Sequence, residues 1–184
     1  MVRPSSKDAM LDAAEVVLTE QGAWRLTLDS VAEQAHISKG GLLYHFPTKD
    51  ALLQALVDRL AAKATEKRVS GRDASETNPE TVLRADVEAT LLDTERNPQL
   101  CAGLISALAN CPGLKEPIRS FHEHRFSELG SLNVDEDAAA ILLLAADGLM
   151  VMETLNVSPF SEARRAALVD AMLAMASRLG KAAV

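Results

Sequence analysis

The sequence predicts an all-α fold: an N-terminal module of short helices followed by a helical bundle, about nine helices in all. Three observations carry this. Apolar residues recur at helical spacing through most of the 184 residues. Gly (9) and Pro (7) are scarce and fall mostly between the helical stretches. Ser, Thr or Asn stands repeatedly just before a stretch, where its side-chain oxygen can cap a helix N-terminus.

The first helix is expected over Asp8–Gln21, where Met10, Ala13, Ala14, Val17 and Leu18 recur on one face and Gly22 stops the pattern. Thr27 then caps Leu28–Ala35, with Val31 and Ala32 facing inward. His36-Ile37 makes a turn, and Ser38 caps Lys39–Tyr44. Pro47 breaks the chain, and Thr48 opens a long helix from Lys49 to about Arg68. The second and third helices are too short to stand alone in water, so residues 5 to 60 form one module held by packing on the first and fourth.

Residues 70–78 (SGRDASETN) are polar and read as a connector. Asn78-Pro79 and Asn97-Pro98 each place a cap before a proline at the first helical position. Further helices are expected near 79–94, 98–110, 115–129, 136–155 and 161–179. The last two are too apolar for helices that each expose one face, and packing on a symmetry mate would explain that. The division expected is a domain over 1–50, a connecting helix over 49–68, and a second domain over 70–184 that holds the face for a symmetry mate.

Composition narrows the function classes. Net charge is −7, but residues 1–70 hold nine Lys/Arg against nine Asp/Glu, so the deficit lies wholly beyond them. A neutral module can still turn a basic face to phosphates. The apolar run Ala138–Ala146 ends at Asp147 and is too short to cross a bilayer. Charges stand where a signal peptide would have its apolar region, so the expected compartment is the cytoplasm, with no membrane association. Cys101 and Cys111 make neither a disulfide framework nor a zinc site, and are expected to be buried thiols. His122-Glu123-His124 puts its histidines on different sides of a helix, so no metal is expected. No catalytic triad, Cys-His pair or phosphate-binding glycine loop is evident; neither an enzyme nor a cofactor is expected.

Two short helices joined by a tight turn form a helix-turn-helix, whose second helix enters the DNA major groove with its N-terminal residues at base edges. This gives a reason for Gly40 and Gly41, each of which costs a helix roughly 1 kcal/mol relative to alanine. Without side chains there, the start of the helix can approach bases closely and Lys39 can reach past.

The strings LDAAEVVLTEQG, TLDSVAEQAHISKGGLLYHF and PTKDALLQALV, from about Lys7 to Leu60, closely resemble the TetR (tetracycline-repressor-like) family of bacterial transcriptional regulators. The resemblance implies a homodimeric repressor on a palindromic duplex operator, released by a small-molecule effector. It implies Thr27 as a phosphate-contacting cap and Ser38 as the opening of the recognition helix. Lys39 and Gly40, with Gly41 beside them, would reach base edges. Tyr44, His45 and Lys49 would contact phosphates or line the groove, and Arg3 would follow the minor groove or the backbone. Two positions depart from the pattern: His36 stands where the turn usually has glycine, and Leu43 replaces a frequent tyrosine, leaving an apolar group for a thymine methyl.

Phe46 is expected in the core, and Trp24 is expected to plug the first helix onto the module. Asp147, a lone carboxylate in AILLLAADGLMVM, must either meet a partner across helices or face a wet cavity. Cys101, Leu104, Phe121, Phe126, Asp147 and Met150 are the candidate effector contacts. Control by a protein partner or by cysteine oxidation, or a helical scaffold or enzyme with a vestigial DNA module, are the alternatives.

Overall fold

A computed structural model describes residues 6–70, 78–92, 97–108 and 111–182. Among them the regular structure is helical: α1 (Ser6–Gln21), α2 (Leu28–Gln34), α3 (Lys39–His45), α4 (Lys49–Ser70), α5 (Pro79–Leu91), α6 (Pro98–Leu108), α7 (Lys115–Ser127), α8 (Glu136–Thr154) and α9 (Glu162–Ala182). The caps work as their residue types dictate. Thr27, Ser38, Thr48, Asn78 and Asp135 each accept a backbone N–H in the first turn of the following helix. No described helix is long and apolar enough to cross a membrane.

The chain packs as two compact units, residues 1–61 with 97–119 and residues 62–96 with 120–184. The first holds α1–α3 and the start of α4, and α6 joins it. Asn97 donates from Nδ2 to Thr19 Oγ1 at 3.0 Å, and Gly103 lies close against Leu18. Its core is apolar throughout: Val17, Leu18, Leu26, Leu42, Phe46, Leu52, Leu53 and Leu56 are almost fully buried, with Leu100 and Leu104 from α6. That segment therefore packs with the helix-turn-helix, although it lies beyond residue 70.

In the second unit α5 packs against both α8 and α9. Leu83, Val87, Leu142, Leu143 and Ala176 form the centre of its core. The α5–α9 crossing is close. A β-carbon at Gly180 would lie 2.5 Å from the backbone nitrogen of Glu80, so only glycine fits. Helix α7 ends before the expected residue 129, tightening into a 3₁₀ turn over Glu128–Ser131 as Ser127 Oγ donates back to the His124 carbonyl.

Candidate nucleic-acid interface

The turn between α2 and α3 is built by hydrogen bonds that follow from its sequence. The Ile37 N–H reaches the Ala32 carbonyl at 3.0 Å, and the His36 N–H reaches Glu33, which closes α2 as a Schellman motif. This requires a left-handed residue, and His36 takes φ 54°. Histidine thus does here what glycine would do at less strain.

Helix α3 then opens with Ser38 Oγ accepting from the Gly41 N–H at 3.1 Å. Leu42 and Phe46 point into the core and fix the helix, while Lys39, Gly40 and Tyr44 face solvent. Tyr44 is 85% exposed and lies edge-on to His45; Leu43 and His45 are half-buried. A β-carbon at Gly40 would touch nothing, and one at Gly41 would meet only Ser38 Oγ at 3.3 Å. The chain's own packing therefore does not require glycine at position 40. Lys39 Nζ pairs with Asp29 at 2.8 Å, both side chains being well exposed.

Thr27 and Ser30 form a reciprocal capping box at 2.9 and 3.0 Å, and Ser30 Oγ also donates to the Arg25 carbonyl. Lys49 is half-buried and donates to the Ala23 carbonyl at 3.4 Å, so its amine fastens the α1–α2 loop. Trp24 is no plug: it is 75% exposed, with the Arg25 guanidinium stacked over its ring at 4.4 Å. The aliphatic side chains Leu26 and Leu18 fill the core instead, and nothing remains for an indole to cover. Arg3 lies outside the described residues.

The second unit holds a buried ionic network. Arg125 Nε donates to both oxygens of Asp86 at 3.0 Å, its Nη2 to Asp86 and Thr90, and its Nη1 to Asp147 at 2.7 and 2.8 Å. Arg68, at the end of α4, reaches Asp86 at 3.5 Å and stacks over Phe121 at 4.9 Å. Burial opposes the charge on Arg125, but the bonds to Asp86 and the charges of Asp86 and Asp147 outweigh it and raise its pKa. Burial lowers the pKa of Arg68, with Asp86 offsetting part of the effect. Asp147 thus meets a partner across helices, Arg125.

Sequence reasoning found Asp147 and missed Arg68, Asp86, Thr90 and Arg125. The signal for two of them was present: Val82, Leu83, Asp86, Val87, Thr90 and Leu91 form one buried helical stripe of α5. Of the other candidate effector contacts, Phe121, Phe126 and Met150 belong to the second unit, with Phe126 and Met150 packed on its core. Cys101 and Leu104 are on α6 in the first unit, Leu104 within its core. Cys111 is buried, and its Sγ–H donates to Asp50 at 3.4 Å. Burial and that carboxylate raise its pKa, which disfavours the reactive thiolate. His124 faces Glu128 at 3.7 Å, while His122 lies between the Phe121 and Phe126 rings.

Residues 10–56 match the family model for bacterial regulatory proteins of the tetR family, and residues 80–177 match the tetracyclin repressor-like C-terminal domain. The chain belongs to the TetR family. Among curated TetR-like relatives, it is 26% identical over 117 residues to the HTH-type transcriptional regulator EthR of Mycolicibacterium smegmatis, covering 62% of this chain and 54% of that one. It is 35% identical over 98 residues to the HTH-type transcriptional regulator BetI of Burkholderia ambifaria, covering 51% and 48%. The chain thus spans about half the length of the curated relatives it matches. The fold is shared over nearly the whole chain. A transcriptional regulator from Rhodococcus sp. superposes with a TM-score of 0.77 at 21% identity, covering 95% of this chain and 97% of that one. A TetR transcription regulator from Haloarcula marismortui gives 0.74 at 20% identity, covering 96% and 97%. The multidrug binding protein EbrR, solved with ethidium, gives 0.68 at 22%, covering 91% and 98%.

Proposed function

We propose that the chain is a homodimeric, sequence-specific transcriptional repressor whose hold on a palindromic duplex operator is released by a small molecule. The first turn of α3 carries this reading. Lys39 and Gly40 are exposed, and a side chain at Gly40 would meet nothing of the chain itself. A glycine that weakens a helix without serving its packing serves something outside it, and a duplex groove fits that role. In this reading Lys39 turns from Asp29 to a base edge, Leu43 approaches a thymine methyl, and Tyr44 and His45 flank phosphates. Thr27 sits at the backbone, and Lys49 supports the loop from behind while its charge remains near the DNA.

Pairing of two copies is supported by α8 and α9. Ile141 and Leu144 are exposed on α8, and Ala163, Ala166, Ala167, Ala171 and Ala174 on α9. An apolar face of this kind suits a second copy, which would set two α3 helices about 34–36 Å apart on successive major grooves. The effector would act in the second unit, where Phe121, Phe126, Asp147 and Met150 are grouped with the Arg125 network; the EbrR complex with ethidium supports such a role by analogy of fold. It must bind the DNA-incompetent conformation more tightly, because equal affinity for both shifts nothing.

The test is footprinting on DNA upstream of the chain's own coding region. Protection of a symmetric site, steep weakening with salt and saturable release by a compound are expected. Absent or salt-independent binding would overturn the reading.

A further inference from the structure

We infer that Trp24 and Arg25 form a second DNA contact outside the helix-turn-helix proper, resting on the backbone of the duplex that α3 enters. This rests on the DNA-binding reading above and adds a site to it. An indole is the largest apolar side chain, and holding it 75% exposed leaves much hydrophobic surface in water. Here the exposure is imposed by the loop. Gly22 takes φ 83°, Lys49 holds the Ala23 carbonyl, and Ser30 Oγ holds the Arg25 carbonyl. The residues on either side of Trp24 are thus tied to the module, and the ring is left standing out from a fixed backbone. The Arg25 guanidinium stacks on one face of it, leaving a flat apolar platform with a cation attached.

The chemistry of that platform selects its occupant. Gly22–Thr27 reads GAWRLT, whose only charge is positive, so a polyanion is favoured over an acid-poor protein surface. A planar ring beside a guanidinium suits the sugar–phosphate backbone, with the ring on deoxyribose and the guanidinium on a phosphate oxygen. The same loop leads straight into Thr27 and is bonded to Ser30 of α2, so the platform adjoins the capped start of α2, where the DNA-binding reading already puts Thr27 at the backbone.

Trp24 is the sole tryptophan, so its emission reports on this site alone. The probe is a fluorescein-labelled random-sequence duplex of about 30 base pairs at low salt, with binding followed by anisotropy. Bound duplex is expected to shield Trp24 from acrylamide. Arg25→Ala is expected to weaken binding about 3- to 10-fold and to flatten the salt slope by about one ion. Trp24→Ala is expected to weaken it about 3- to 10-fold, from the apolar area lost against deoxyribose, with an unchanged unfolding temperature, because the ring is not part of the core. Duplex bound with Trp24 still fully open to acrylamide, or both variants binding like the parent, would overturn the inference while leaving the regulator reading intact. Shielding that grows with protein concentration in the absence of DNA would overturn it in favour of a contact between copies. No binding to any duplex would overturn both.

Discussion

Two arginines each bridge a pair of carboxylates, one in each unit, and water reaches the two bridges to different extents. In the first unit Arg59 joins Asp12 at 2.7 Å and Glu15, and Asp12 is largely exposed. In the second, Arg125 joins Asp86 and Asp147 with its own side chain only 3% exposed. The chemistry is the same, but desolvation differs. Around Arg59 the solvent reaches Asp12 and screens that arm of the bridge, which clips α4 onto α1. Around Arg125 the ions depend on one another, because a buried charge without its partner is costly. All the buried polar and charged side chains among the described residues, Arg68, Asp86, Thr90 and Arg125, lie in the second unit. The first unit is an apolar-cored holder, suited to presenting α3 in one geometry. The second is tied together in part by buried ions that bridge its helices.

Substitutions graded by burial would break or sharpen this contrast. Asp86→Ala should have the largest effect, destabilising by about 3–5 kcal/mol in denaturant unfolding, with part recovered when Arg125→Met is added. A loss under about 1 kcal/mol would mean the network is wetter than its burial indicates. Gly180→Ala should cost about 1–3 kcal/mol by forcing α9 off the Glu80 backbone; an unchanged midpoint would show that the crossing can widen freely. Lys39→Ala removes a largely exposed ion pair, so stability should scarcely move, while specific operator binding weakens by about 1–3 kcal/mol more than non-specific binding. Equal losses on both would make Lys39 a phosphate contact. Asp12→Ala should cost less than about 1 kcal/mol, since Glu15 still holds Arg59.

The smallest effect is expected at Cys111, where it appears as a rate. Burial and the Asp50 carboxylate raise its pKa and shrink its thiolate fraction, so iodoacetamide at pH 8 should label this buried thiol more slowly than the half-buried Cys101. The thiol form's contribution to stability is fully present below the unfolded thiol pKa and is lost as pH rises through the higher folded value. Labelling of Cys111 at the rate of an unfolded thiol would remove this account.

Helix positions were legible because their signals are local. Caps at Thr27, Ser38, Thr48 and Asn78 act within one turn, and they placed the helix starts within a residue or two. The turn at His36-Ile37 was legible too, and the resemblance marked His36 as standing in a glycine's place, where it takes the left-handed backbone. What the sequence left hidden depends on partners far along the chain. That α6 packs with α1, that Arg125 lies between Asp86 and Asp147, and that Lys49 turns toward Ala23 are choices among many possible neighbours. Trp24 failed differently: hydrophobicity predicts burial, but the loop's hydrogen bonds fix the backbone so that the ring faces outward.

The exposed Lys39–Asp29 pair has a consequence for counting ions. Asp29 sits beside Lys39 and cancels its positive charge locally, so the pair together displaces few of the cations condensed on the duplex. The salt dependence of operator binding would then register fewer contacts than the interface makes. Asp29→Asn, by leaving Lys39 to the solvent beforehand, would steepen the slope without adding a contact.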